Sequence, residues 1–170
     1  MKKIAAFCTM FLAVAVMATA QDGKKPAPKS PRVTAKSELA EIGYGQPSKN
    51  GRVIFGELVP YGKVWRTGAN MSTDLEVKTD VIFGGKELKK GTYAVFTIPG
   101  ENEWTIILNS KPAQHGASEY EKNKDKNVLE VKAPVEKTAS VQEKFTIFFD
   151  ADNLVFNWDN VVVKVPLVKK

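Results

Sequence analysis

Residues 92–108 read TYAVFTIPGENEWTIIL and contain two runs of β-branched and aromatic residues separated by a turn. The first run, residues 92–98, ends at Pro99-Gly100, and the second occupies residues 104–108. Valine, isoleucine, threonine and aromatic residues fit a pleated, half-buried surface, whereas proline and glycine end strands. Each run therefore predicts a strand, and the short connection predicts that the two strands pair antiparallel.

Similar short runs occur along most of the chain. Residues 74–78 alternate polar and apolar side chains, as a strand with one buried face does. Turn-forming residues separate the runs, for example at Gly84-Gly85, residues 151–153 and Asp159-Asn160. After residue 127 four separate strands are predicted, at 128–133, 141–150, 154–158 and 161–168.

The segment 109–127 interrupts this rhythm. Ser118 and Glu121 have the spacing of a helix-capping pair, so one short helix is predicted there. No long helical period occurs elsewhere. About nine or ten short strands with turns roughly every ten residues are typical of an all-β fold. We therefore expect an antiparallel β-sandwich, jelly-roll-like, with at most one short helix.

The N-terminus has the pattern of a signal peptide. Two lysines precede an apolar run over residues 4–17, and Ala18-Thr19-Ala20 forms a small-residue cleavage site. The run is shorter than the ~20 apolar residues of a membrane-spanning helix, so no membrane span is expected after cleavage. Residues 1–20 are thus predicted to be removed, residues 21–31 to form a flexible leader, and residues 32–170 to form a single sandwich domain. We expect a bacterial protein that is periplasmic or secreted.

The composition argues against several classes of function. The formal net charge is +6, and it falls to +4 when Lys2 and Lys3 are removed with the signal peptide. The remaining lysines are dispersed and are not interleaved with aromatic residues, so nucleic-acid binding is not expected. Cys8 is the only cysteine and His115 the only histidine, which excludes the usual zinc spacings. No metal and no cofactor is predicted.

A second stretch, residues 44–73, contains the candidate binding residues. It reads YGQPSKNGRVIFGELVPYGKVWRTGANMST and spaces five glycines around Pro47 and Pro60, which predicts a series of tight turns. Large amphipathic side chains on such a loop are typical of a binding site. The candidate ligand-binding residues are Trp65, Arg66 and Asn70, supported by Arg52, Tyr61 and His115.

These side chains suit a glycan or a small anionic ligand. A tryptophan offers a flat apolar face, an arginine offers a fork of donors for a carboxylate or phosphate, and an asparagine both donates and accepts. A second interpretation is architectural: Trp65 and Tyr61 fill the end of the sandwich, and Arg66 bonds to loop carbonyls. Arg52 likewise has two interpretations, a second cation beside Arg66 or a solvated charge at a strand edge.

The same motifs carry a family resemblance. The run RVIFGELVPYGKVWRTGAN at residues 52–70, followed by GTYAVFTIP at residues 91–99 and by Trp104, resembles a family of secreted bacterial proteins classed as domain of unknown function 2911. The resemblance covers most of residues 31 to about 150. It implies a secreted all-β domain and transfers no catalytic residue. The chain departs from the family pattern at His115, where the family often has tryptophan, so a ligand touching that position would differ.

Three functions remain open from the sequence. The first is a non-catalytic binding module, and the second is a hydrolase that uses His115 as a base. The third is a structural or protein-partner-binding domain. No G-x-S-x-G elbow and no paired acidic motif is present, so no catalytic residue is assigned and a non-enzymatic function is favoured. The sequence predicts no oligomeric state.

Overall fold

The computed structural model describes residues 30–170; the predicted signal peptide and residues 21–29 of the predicted leader lie outside the described residues. The strands are β1 (Arg32–Lys36), β2 (Ala40–Gly45), β3 (Thr73–Val77), β4 (Val81–Phe83), β5 (Lys86–Leu88), β6 (Gly91–Ile98), β7 (Glu103–Asn109), β8 (Asn127–Asp150) and β9 (Asn153–Lys169). One helix, α1 (Gly116–Asn123), and a 3-10 helix, Lys124–Lys126, lie between β7 and β8. Within residues 30–170 no helix is long and apolar enough to cross a membrane.

All neighbouring strands pair antiparallel, in the order β1-β2-β3-β6-β7-β8-β9-β4-β5. The long strand β8 joins two layers, because it pairs with β7 as far as Pro134 and with β9 from Val135 onwards. The first layer contains β1, β2, β3, β6 and β7, and the second contains β9, β4 and β5. The predicted antiparallel β-sandwich of about nine or ten strands, with at most one short helix, is confirmed, with nine strands and one α-helix among the described residues.

The antiparallel pairing of β6 and β7 follows the sequence prediction, with Ile98 opposite Thr105 next to the connecting turn. The prediction of four separate strands after residue 127 is wrong, because β8 and β9 are each continuous. Asp159 does not end a strand. It adopts a left-handed backbone (φ 55°) and stays paired with Gln142, where the register between β8 and β9 shifts. A bulge thus takes the place of the expected turn.

The main core lies between the two layers. Leu154, Phe156 and Trp158 of β9 point into it and are at most 2% exposed, together with Phe145 and Ile147 of β8. Burying a large apolar side chain of this kind contributes about 1.5–3 kcal/mol relative to leaving it exposed. This inward row has the period of two that a strand imposes, so the alternation in the sequence determines which face of β9 meets the first layer.

Helix α1 covers the outer face of the first layer. Tyr120 packs on Phe96, with ring centroids 4.7 Å apart, and on Ala94 and Ile107. The helix lies within the predicted segment, but its cap differs from the predicted pair. His115 is the N-cap residue, and its backbone N–H donates to Glu119 Oε2 at 2.7 Å. The helix therefore begins three residues earlier than a Ser118 cap would place it.

The end of β2 passes very close to the loop that follows Trp65. A Cβ on Gly45 would overlap the backbone carbonyl of Ala69, and a Cβ on Gly68 would lie 2.8 Å from the carbonyl oxygen of Gly45. The Ala69 N–H donates to the Gly45 carbonyl oxygen at 3.2 Å across this crossing. Only glycine allows two backbones to approach this closely.

We expect Gly45→Ala to lower the free energy of unfolding by about 1–3 kcal/mol or more, because the added methyl meets backbone that cannot move aside. Gly43→Ala is the matched control in the same strand, since its Cβ would contact only the flexible end of the Arg32 side chain, 3.1 Å away. Urea unfolding of both variants measures the difference. Equal stability of the two variants would show that the crossing is not rigid.

Candidate ligand-binding site

The loop from Trp65 to Asn70 is held in a strained backbone conformation. Thr67, a β-branched residue, has φ 56°, and Asn70 has φ 66°. Left-handed backbone in a β-branched residue costs of the order of 1–3 kcal/mol and persists only where neighbours enforce it. Here Thr67 Oγ1 bonds to Thr97 Oγ1 at 3.1 Å, and Thr73 Oγ1 donates to the Thr67 carbonyl at 2.6 Å. These contacts attach the loop to the first layer.

Trp65 is partly buried and packs against aromatic side chains of the core. Its ring stacks on Trp158 of β9, with centroids 5.9 Å apart and planes at 19°, and meets Phe145 at 4.9 Å. Its indole Nε1 donates to the Gly68 carbonyl at 3.2 Å. Its backbone pairs with Thr97 of β6. Trp65 therefore links the loop both to the first layer and to the aromatic core.

A second segment, residues 46–52, lies along the middle of β8. Ser48 forms an antiparallel bridge with Lys144, the Phe145 N–H donates to Pro47 O at 2.9 Å, and the Lys49 N–H donates to Glu143 O at 2.7 Å. Arg52 folds back on this segment. Its Nη2 donates to Ser48 O at 2.6 Å and its Nε to Lys49 O at 2.9 Å. The guanidinium of Arg52 therefore sits at Ser48, the residue paired with Lys144.

A cavity of about 510 Å³ lies between these two segments. Its described lining comprises Ser30, Pro31, Gln46, Pro47, Ser48, Asn50, Arg52, Leu58, Val59, Trp65, Arg66, Gly68, Ala69, Lys144 and Trp158. Three of these residues are basic and none is acidic. The described wall is thus positively charged, with apolar and neutral polar groups between the charges.

Within residues 30–170 the Arg66 side chain donates no hydrogen bond. Its Nε is buried and has no acceptor within residues 30–170; Asn157 Oδ1 of β9 is the other buried side-chain atom in this state. Arg66 Nη1 lies 3.6 Å from the position that a Cβ would take on Gly116, so the guanidinium reaches towards the start of α1. A buried donor without an acceptor costs about 1–3 kcal/mol. Such an atom calls for an explanation, and a ligand is one.

The structure brings together three of the six predicted residues. Trp65, Arg66 and Arg52 line the cavity, whereas Asn70, Tyr61 and His115 are not part of its described lining. Asn70 contributes indirectly, because its Nδ2 donates to the carbonyl oxygen of Ser30, which does line it.

Tyr61 and His115 occupy other positions. Tyr61 lies against Gly56, and burial together with the nearby Glu101 carboxylate raises the pKa of its phenol, which keeps it neutral. His115 is exposed and caps α1 through its backbone. Within the described part of the chain no side chain hydrogen-bonds to its imidazole, as a catalytic base would require of an orienting group.

Lys144 and Trp158 were not among the predicted site residues. Trp158 belongs to the inward row of β9, so it is part of the core as well as of the cavity wall. Lys144 reaches the cavity only through the pairing of Ser48 with β8, a contact between residues 96 positions apart in the chain. No local sequence pattern predicts such a contact. Residues 30–170 contain no group of three or more His, Cys, Asp or Glu side chains placed to hold a metal ion.

The fold and cavity define a small antiparallel β-sandwich with a basic, loop-built cavity. The family model described as protein of unknown function (DUF2911) matches residues 28–167, so the chain belongs to this family. The resemblance to this family is thereby confirmed. No curated protein and no solved structure matches the chain.

We expect Trp65→Ala to lower the free energy of unfolding by about 3–5 kcal/mol, because it removes a large ring packed on Trp158 and Phe145. Phe148→Ala is the control, since Phe148 is an aromatic residue of β8 that is 37% exposed. Chemical denaturation of both variants gives the comparison. A loss below 1 kcal/mol in Trp65→Ala would mean that this ring faces the cavity without supporting the core.

Proposed function

We propose that this chain is an exported bacterial protein that binds a small anionic ligand, without catalysis, in the cavity between residues 46–52 and the Trp65–Asn70 loop. The observation that carries the proposal is Arg66. Arg66 lines a cavity whose described wall has no acidic residue, and its buried Nε has no protein acceptor within residues 30–170. An anionic ligand bound beside the Arg66 side chain would supply an acceptor that the described residues do not.

The energetics support an anion over a neutral ligand. A hydrogen bond to a charged group contributes about 1.5–3 kcal/mol, and a planar guanidinium can form two such bonds side by side with a carboxylate or phosphate. Arg52 and Lys144 add positive potential at the same cavity without any acidic lining residue to cancel it. The volume of about 510 Å³ lies within the ~300–1,000 Å³ range of small-molecule sites.

The apolar part of the wall supports a ligand with carbon–hydrogen surface, such as a sugar. Leu58, Val59, Trp65 and Trp158 are all part of the lining. Neutral polar groups from Ser48 and Asn50 stand near them and could bond to hydroxyls. An acidic glycan or a small organic anion is therefore the ligand class that this wall suits best.

Export belongs to the same proposal. The basic start, short apolar run and Ala18-Thr19-Ala20 of the sequence support cleavage after Ala20 and a periplasmic or secreted location. We expect the protein purified from the envelope fraction of its host to begin at Gln21, which N-terminal sequencing measures. A protein that begins at Met1 in that fraction would contradict cleavage.

A second candidate function is architectural. The packing of Trp65 on Trp158 and Phe145 favours this function, because aromatic residues in a loop can serve simply to close the core, without binding a ligand. The hydrolase alternative has no supporting contact among the described residues, since His115 is outside the cavity lining. The two remaining candidates differ in what they expect of Arg66.

Thermal unfolding with a ligand panel separates them. The panel comprises inorganic phosphate, citrate, glucuronate, soluble peptidoglycan fragments and neutral maltose. At ~100 times its dissociation constant, an anionic ligand stabilises the protein by ~2.7 kcal/mol. We expect this shift with an anion, its loss in Arg66→Met, and its retention in Lys122→Met, which removes an exposed charge of α1.

The stability of Arg66→Met without ligand distinguishes the ligand-binding function from the architectural one. If Arg66 serves the ligand, its removal deletes an unpaired buried donor, and the free energy of unfolding stays unchanged or rises by up to about 1–3 kcal/mol. If Arg66 is architectural, stability falls and no panel member shifts the wild type. Raising salt from ~0.01 to ~1 M should weaken the anion shift, because the Debye length falls from ~30 to ~3 Å.

A further inference from the structure

We infer that the residues before Ser30 form a basic arm of the same binding site, and that the ligand is an acidic polysaccharide whose charges reach from the cavity to this arm. The arm is residues 21–29, QDGKKPAPK, which lie outside the described residues. The inference rests on the proposed function, since it assigns the ligand class of the same cavity. Its basis is the place where the arm joins the described chain.

The junction is fixed on the cavity wall from two sides. Ser30 and Pro31 both belong to the lining. The Ser30 carbonyl oxygen accepts from Asn70 Nδ2 at 3.1 Å, and the Pro31 carbonyl oxygen accepts from the Gln46 N–H at 2.8 Å. Asn70 and Gln46 belong to the two segments between which the cavity lies. The arm is therefore attached to the cavity wall itself.

The arm adds positive charge at this wall. Residues 21–29 contain Lys24, Lys25 and Lys29 against one aspartate, a net charge of +2. Lys29 is bonded directly to Ser30, and consecutive Cα atoms are ~3.8 Å apart, so the four-carbon stem of Lys29 starts beside the lining. Lys24 and Lys25 are within about 20 Å of Ser30 even along a fully extended chain.

The charge of the described wall decides what the arm can bind. The lining contains Arg52, Arg66 and Lys144 and no acidic residue, so the lysines of the arm have no carboxylate to pair with there. Like charges repel, and the arm by itself is therefore a poor occupant of the cavity. An anion in the cavity reverses this, because it attracts the wall and the arm together.

The ligand must carry repeated charges for the arm to contribute. Exposed ion pairs are individually weak, so one carboxylate already held by the wall gains little from the arm. A polysaccharide with a carboxylate on each sugar offers further charges to the lysines once its end is bound, and attachment of the arm at the wall makes this second contact intramolecular. The sugar rings also suit the apolar part of the lining.

Isothermal titration of the mature chain, residues 21–170, with galacturonate and with decagalacturonate tests the inference. Both affinities are expressed per sugar unit, so that the larger number of sugars in the polymer does not count as tighter binding. We expect decagalacturonate to bind at least ~10-fold more tightly per sugar unit than galacturonate, because its charges engage the wall and the arm at once.

The triple variant Lys24→Met/Lys25→Met/Lys29→Met assigns this difference to the arm. We expect the affinity ratio of decagalacturonate to galacturonate to fall at least threefold. Circular dichroism and the melting temperature check that the variant folds. A ratio equal to that of the wild type would overturn the inference.

The control variant is Lys111→Met/Lys122→Met/Lys137→Met. It removes the same charge from exposed positions outside the described lining, so we expect it to keep the wild-type ratio. An equal fall of the ratio in both triple variants would also overturn the inference, because net charge and not the arm would then account for the effect.

The remaining outcomes separate the inference from the proposed function. Equal binding of the two sugars per sugar unit would overturn the inference and leave the proposed function standing, and so would binding of phosphate or citrate without either sugar. Binding of phosphatidylglycerol vesicles through the arm lysines, without any binding of decagalacturonate, would overturn the polysaccharide assignment in favour of a membrane surface. No binding of any anion would overturn both proposals.

Discussion

The backbone crossing of Gly45 with Gly68-Ala69 is the contact on which the cavity depends. It joins the last residue of β2 to the loop after Trp65, and the Ala69 N–H bonds to the Gly45 carbonyl across it. Because neither glycine has a side chain, the two backbones meet directly. After Gly45 the chain leaves β2, and residues 46–52 run along β8. The cavity lies between this segment and the Trp65–Asn70 loop, which the crossing holds against the end of β2.

The irregular middle of β8 provides the backbone groups with which residues 46–52 pair. Between Gln142 and Thr146 the register with β9 shifts, and residues 46–52 occupy the backbone groups exposed there. The Lys49 N–H bonds to Glu143 O and the Phe145 N–H to Pro47 O, so the shift leaves these buried groups paired. A bulge that would otherwise weaken the sheet therefore fixes a loop in place. Lys144 lines the cavity as a consequence of this pairing between residues 46–52 and β8.

The parts of the molecule that could be predicted from sequence are those set by neighbours in the chain. The β6–β7 hairpin and the inward row of β9 follow from alternation and turn chemistry, and the glycine-rich loop pointed to Trp65 and Arg66. Lys144 could not be found, because it meets the loop only through a long-range pairing. The prediction of a turn at Asp159-Asn160 was wrong for a related reason. Tertiary pairing with β8 keeps the strand continuous through a residue with left-handed backbone.

Two unfavourable features of the described structure lie side by side in the loop from Trp65 to Asn70. A network of buried amides under α1, formed by Asn109, Gln114 and Asn123, has its donors paired with protein acceptors. The Trp65–Asn70 loop, in contrast, combines a strained Thr67 with an unpaired Arg66 Nε. Both features cost stability, so selection for stability alone gives no reason to keep them side by side. Their combination on the wall of a basic cavity is the arrangement expected where stability is given up to hold donors ready for an acceptor that the protein itself does not provide.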